Sequence, residues 1–215
     1  RRLTDPSRRH ARRTAEPFAF FFFDHLKIAA PAPFPRLFLR TFRPPSVTDL
    51  GAVSALIVEA NPSMRTQLRN MLNTSGIAKV QFAVTAGVAV RKLRDNRFDL
   101  ILCEYHIGDG QDGQHLLEDL RHNSIIPLST LFIIVTGERQ YERVVSAAEL
   151  APNDYILKPF AADTLHDRIV RALDKREAFL PIYSLIELGN APDAIARCAK
   201  AEESYPQWST DFMRL

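Results

Sequence analysis

The chain has 215 residues, 46% of them hydrophobic and 25% charged, enough to bury the core of one domain of common size and part of another. No run reaches the ~18 apolar residues of a membrane span, and two cysteines, Cys103 and Cys198, make neither a disulfide framework nor a zinc pattern, so the expectation is a cytoplasmic protein with reduced thiols. The net charge of +3 is uneven: residues 1–50 hold 10 Lys/Arg and 4 Asp/Glu, and the rest hold 18 and 21.

Residues 1–50 combine arginine pairs, scattered prolines and the clump Phe18 to Phe23, with no stable period. Such a segment has no continuous face to bury and reads as a disordered basic stretch. Order begins at Ser54. Ser54–Glu59 predicts a strand, and Pro62–Asn73 a helix with Met64, Leu68, Met71 and Leu72 inward. Asn61 suits its cap, Pro62 its first turn and Gly76 its stop.

A second strand (Val80–Val84) and helix (Ala86–Asp95) follow. Next come the apolar strand Phe98–Cys103, the helix Gly113–Arg121, the strand Leu131–Val135 and the helix Tyr141–Leu150. The strand Tyr155–Leu157 and a helix through Leu165, Ile169, Val170 and Leu173 complete five repeats of strand and helix. Central strands that are apolar throughout imply a parallel sheet covered on both faces. The fold class is therefore α/β, a doubly wound five-stranded parallel sheet of flavodoxin-like order 2-1-3-4-5. Ligand sites in such sheets lie at the carboxyl ends of the strands, so the residues to read follow strands one, three, four and five.

Those places hold Glu59-Ala60, Glu104, Thr136 and Lys158-Pro159. Between them come a Gly-bearing loop ending Asp112-Gly113, the triplet Val135-Thr136-Gly137, and Asp154-Tyr155 ahead of Lys158-Pro159-Phe160. In this ordered set residues 54–174 resemble the receiver domain of two-component response regulators. The resemblance implies an acceptor at Glu104, an acidic pocket with Glu59, a phosphoryl-contacting hydroxyl at Thr136, a cation at Lys158 and an aromatic switch at Tyr155. It also implies a cis peptide at Lys158-Pro159. In the family an aspartate at the acceptor place becomes an acyl phosphate beside Mg²⁺ held by neighbouring acids. Partners implied are a histidine kinase or a downstream effector.

Two departures stand out. The acceptor is glutamate, and the acidic pair after strand one is Glu59-Ala60, which removes a metal ligand. Glu59 and Glu104 remain as metal ligands, and Mg²⁺ is expected to bind weakly. The expected function is a non-enzymatic, phosphate-independent receiver acting through protein–protein contacts, in which Glu104, Thr136 and Lys158 form a closed hydrogen-bonded set. The alternatives are a conventional Mg²⁺-dependent phospho-acceptor, an inert Glu104–Lys158 ion pair, and a phosphatase-like enzyme with Glu104 as nucleophile. His106 reads as a solvated loop residue, Asp109 and Asp112 as turn residues, and Cys103 as core.

From about residue 176 the chain continues as helix, broken at Gly189-Asn190, with a second helix from Pro192 to Ser204. Ala194, Cys198, Ala201 and Pro206 resemble the small and terminating positions of a tetratricopeptide repeat, and Phe212 and Leu215 the start of the next. Residues 176–215 are therefore expected to open a helical repeat region used for protein binding. The tail has no basic recognition helix for DNA.

Overall fold

The computed structural model describes residues 49–108, 110–137 and 150–215. Asp109, the helix expected over Tyr141–Leu150 (save Leu150, which stands in a turn) and the expected disordered segment lie outside those residues, apart from Asp49 and Leu50. These two are ordered: Asp49 caps a 3-10 turn, Leu50–Ala52, by accepting from the Ala52 N–H at 3.2 Å.

The elements in chain order are β1 (Ser54–Val58), α1 (Pro62–Thr74), β2 (Lys79–Ala83), α2 (Ala86–Asp95) and β3 (Leu100–Glu104). Then come β4 (His106–Gly108), β5 (Gln111–Asp112), α3 (Gly113–His122), β6 (Leu131–Thr136), β7 (Asp154–Leu157) and α4 (Ala162–Glu187). The chain closes with α5 (Ala191–Ser204), a 3-10 turn (Pro206–Trp208) and α6 (Ser209–Phe212). The main sheet is parallel, in the order β2-β1-β3-β6-β7, which is the expected 2-1-3-4-5.

Strand alternation sorts the apolar side chains into two cores. Leu56, Val58, Ile101, Cys103, Phe132 and Ile134 face α2 and α3, and Ala55, Ile57, Leu100, Leu102, Ile133 and Val135 face α1 and α4. All six residues of β6 are buried, as a strand covered on both faces requires. The helix ends follow the expected cap chemistry. Asn61 accepts from the Ser63 and Met64 N–H groups at 2.9 and 3.2 Å, Pro62 stands in the first turn, and Gly76 follows α1 at φ 92°. Asp112 caps α3 by accepting from the His115 N–H at 2.8 Å.

One feature departs from the sequence reading. The loop after β3 is a small antiparallel hairpin, His106 opposite Asp112 and Gly108 opposite Gln111. As expected, the helix after β7 continues past residue 176 and runs 26 residues without a break, so the last receiver helix and the first tail helix are one rod. Its far end joins a third apolar cluster of Phe179, Ile182, Ala194, Ala201 and Phe212. Phe179 stacks on Phe212, with centroids 4.1 Å apart and an interplanar angle of 8°. Ala194 and Ala201 are buried at this contact, where a larger side chain would push the helices apart, whereas Leu215 is exposed.

The rod is also tied to the start of the sheet. The Arg176 guanidinium on α4 lies 3.6 Å from the carboxylate of Asp99, the residue just before β3, and both side chains are at least 96% buried. Asp99 in turn accepts from the Ser54 N–H at 2.9 Å and the Ser54 hydroxyl at 2.8 Å. Glu187, at the end of α4, accepts from the Leu128 N–H at 2.9 Å.

Candidate functional site

Parallel pairing places the ends of β1, β3, β6 and β7 side by side. Glu104 is opposite Val135, so Thr136 lies one residue further along the adjacent strand, opposite Leu157. Lys158 follows directly, its N–H donating to the Thr136 carbonyl at 2.7 Å. The Lys158-Pro159 peptide is cis, as the resemblance implies.

The centre of the site is an ion triad. Lys158 Nζ donates to Glu104 Oε2 at 2.5 Å and to Glu59 Oε2 at 3.0 Å. The second oxygen of each carboxylate is held by main chain: Glu59 Oε1 accepts from the Asn61 N–H at 2.9 Å and Glu104 Oε1 from the Tyr105 N–H at 2.7 Å. All four carboxylate oxygens therefore have a protein donor. The three side chains are 7% (Glu59), 14% (Glu104) and 17% (Lys158) exposed, so water weakens these bonds little.

Thr136 is 1% exposed at the end of β6. Tyr155 is half-buried and packs against the core on the α2–α3 face. His106 is exposed, with its ring edge-on to Tyr105 at 5.1 Å. Cys103 is core, and burial, followed by the nearby Glu104, pushes its thiol well above the ordinary range, which leaves it unreactive.

One supporting residue lay outside the sequence reading, and another entered it only as the end of the loop after strand three. Arg65 Nη1 donates to the carbonyls of Glu59 and Ala60 at 2.8 and 2.7 Å, which holds the turn after β1. Gly113 is the second: a Cβ there would lie 2.9 Å from the Glu104 carbonyl oxygen and 3.2 Å from Cys103 Sγ. Glycine is a poor helix former, so its place at the first position of α3 is the signal that marks a close approach.

The receiver family implies Mg²⁺ here, but the donors do not fit it. A hard divalent ion needs several oxygens free to turn toward it. Ala60 brings none, the ammonium of Lys158 already occupies the space between the two carboxylates, and among the described residues no three His, Cys, Asp or Glu gather as a metal set.

The family model described as "Response regulator receiver domain" matches residues 55–170. The chain belongs to this family. Among curated proteins it is similar to chemotaxis protein CheY-3 of Vibrio cholerae, 28% identical over 120 residues that cover 56% of this chain and 91% of that one. Chemotaxis protein CheY of Pseudomonas aeruginosa is 26% identical over 120 residues, covering 56% and 95%. Among solved structures, a CheY-like receiver domain protein from Methanospirillum hungatei is 27% identical, covers 58% of this chain and 96% of its own, and has a TM-score of 0.50. The protein is thus a response regulator receiver of two-component signalling, followed by a helical C-terminal segment. No helix among the described residues is long and apolar enough to cross a membrane.

Proposed function

We propose that this receiver works without a phosphoryl group, Glu104 serving as a permanent anion in the acceptor place, and that its output is non-enzymatic protein–protein contact. One observation carries the reading: the lysine that would pair with phosphoryl oxygens in the family is already held by Glu104 at 2.5 Å and by Glu59 at 3.0 Å. An extra methylene lets the glutamate carboxylate reach where an aspartate falls short. A fixed carboxylate supplies part of a phosphoryl group's charge to the same partner. The inward packing of Tyr155 supports an arrangement held in one state. A histidine kinase then becomes dispensable, and a downstream effector that reads the Tyr155 face becomes the natural partner.

The test begins with acetyl phosphate and Mg²⁺. Intact mass spectrometry should find no phosphoryl adduct on the parent, whereas the Glu104→Asp, Ala60→Asp double variant should gain one. An adduct on the parent would restore the conventional phospho-accepting reading. Calorimetry with Mg²⁺ alone should show affinity no tighter than about millimolar, because a ligand is missing and a lysine competes. Ring resonances of Tyr155 then separate a working mimic from an inert pair. They should shift in Glu104→Gln and in Thr136→Ala, and little further when the two are combined. Unchanged resonances in folded variants would mean that Glu104–Lys158 is only structural.

A further inference from the structure

Charge is distributed unevenly over the folded molecule. Residues 61–98, which form α1, β2, α2 and the turn after it, hold seven Lys/Arg and one Asp/Glu, while residues 99–215 hold 11 and 19. The positive charge gathers at the edge of the sheet, because β2 is its outermost strand. Lys79 stands on β2 itself and is exposed. Arg69 of α1 reaches the strand from one face, its guanidinium 5.9 Å from the Phe82 ring centroid. Lys92 of α2 reaches it from the other, donating to Gln81 Oε1 at 2.9 Å. Arg91 and Arg94 of α2 are exposed.

The same edge has main-chain valence to offer. The Ala83 carbonyl accepts from the Glu59 N–H at 3.0 Å, so it points toward β1. Strand alternation then turns the N–H and C=O of Phe82 away from β1. Among the described residues no strand pairs with β2 on that side. The Phe82 ring is half-buried and covered by Arg69, so the edge presents no open aromatic platform of the sort single-stranded nucleic acid stacks on. A lone lysine on an edge discourages pairing. A set of cations with one acid selects instead for a strand that brings carboxylates. Among the described residues the acids of 99–215 are spread over β3, β5, β7 and several helices, so they do not form such a strand on a second copy.

We propose that the β2 edge is a docking site for an acidic, extended polypeptide segment, which adds as a strand along β2 with its carboxylates among Arg69, Lys79, Arg91 and Arg94. This surface is separate from the triad site and does not depend on how Glu104 acts.

The probe is a short fluorescein-labelled peptide of alternating Glu and Val, read by anisotropy on the full chain. The expected result is saturable binding that weakens about tenfold when salt is raised from about 50 to about 300 mM. The exposed-site variant Arg69→Glu, Lys79→Glu, Arg94→Glu, checked for an unchanged thermal midpoint, should bind at least about tenfold more weakly. The control Arg197→Glu, Lys200→Glu on α5 should bind as the parent does. Methylating alternate amides of the peptide keeps its charge and removes its donors, and should also cost about tenfold. The proposal is overturned by no binding, by equal binding of the methylated peptide, or by insensitivity to the edge variant. Tighter binding of oligo-dT or of phosphatidylserine vesicles would overturn it in favour of another polyanion. Salt-sensitive oligomers that vanish in the edge variant would instead assign the edge to a second copy of the chain.

Discussion

At the carboxyl end of the sheet one ammonium joins two carboxylates at hydrogen-bond distance; at the amino end a buried guanidinium meets a carboxylate at longer range. Lys158 holds Glu104 and Glu59, and main-chain N–H groups hold the remaining carboxylate oxygens. Arg176 faces Asp99 at 3.6 Å, and its burial pulls the guanidinium below its ordinary range while Asp99 pulls it back. The difference is redundancy. Removing one carboxylate from the triad leaves Lys158 a partner, so that end can be altered while the fold survives. Removing Arg176 from the other pair takes the facing cation away from a buried carboxyl, Asp99. The first arrangement suits a site that changes state. The second suits a staple, and it sits where residues beyond the family match at 55–170 join the receiver.

The largest break in this comparison should come from Arg176→Met. It leaves the Asp99 carboxyl buried without the guanidinium that faces it, and should cost about 3–5 kcal/mol in urea unfolding. Adding Asp99→Asn should recover part of that loss, since the amide oxygen can still accept from the Ser54 N–H. A cost below about 1 kcal/mol would show that the pair holds nothing together.

Gly113→Ala probes the site end through packing instead of charge. The new Cβ meets main chain at 2.9 Å, so α3 or the Glu104 carbonyl must move, at about 1–3 kcal/mol. Thermal unfolding measures the cost, and the Tyr155 ring resonances should shift with it.

Glu104→Gln should be milder, about 1 kcal/mol, because Glu59 keeps Lys158 paired at 3.0 Å. Combining Glu104→Gln with Glu59→Gln should cost more than the sum of the two single changes, the mark of a shared cation.

The smallest effect belongs to His115, which is exposed and whose Nδ1 lies 3.0 Å from the Asp112 carboxylate. The hydrogen bond to Asp112 raises its pKa. A raised pKa stabilises the fold fully below the ordinary histidine value of ~6.5, and the benefit fades as pH rises through the folded value. The midpoint of His115→Asn should therefore fall short of the parent at pH about 5.5 and match it near pH 8.5, with the gap well under about 1 kcal/mol after solvent screening.

Much of this molecule was legible from local chemistry. The apolar runs Ser54–Val58 and Leu131–Val135 are each buried on both faces, and that composition permits only central parallel strands. Asn61, Pro62, Gly76 and Asp112 mark helix ends because capping is settled within a few residues. A parallel sheet brings the residues after its strands together, so the neighbourhood of Glu59, Glu104, Thr136 and Lys158 followed from their order along the chain. The boundaries slipped by a residue or two, and the β4–β5 hairpin read as a loop, because short polar strands lack the alternation that announces longer ones.

Tertiary structure decided how the charges are shared. Lys158 lies 99 residues from Glu59 and 54 from Glu104, and only the folded sheet shows one ammonium reaching both. Asp99 stood inside the apolar run Phe98–Cys103 with nothing nearby in the chain to mark a partner, until α4 laid Arg176 over it. The basic residues of α1, β2 and α2 became a surface only when β2 took the edge of the sheet. Sequence determines which groups lie at strand and helix ends, since those depend on near neighbours. Ion pairing between distant segments depends on distances of a few ångströms and on burial, both set by packing.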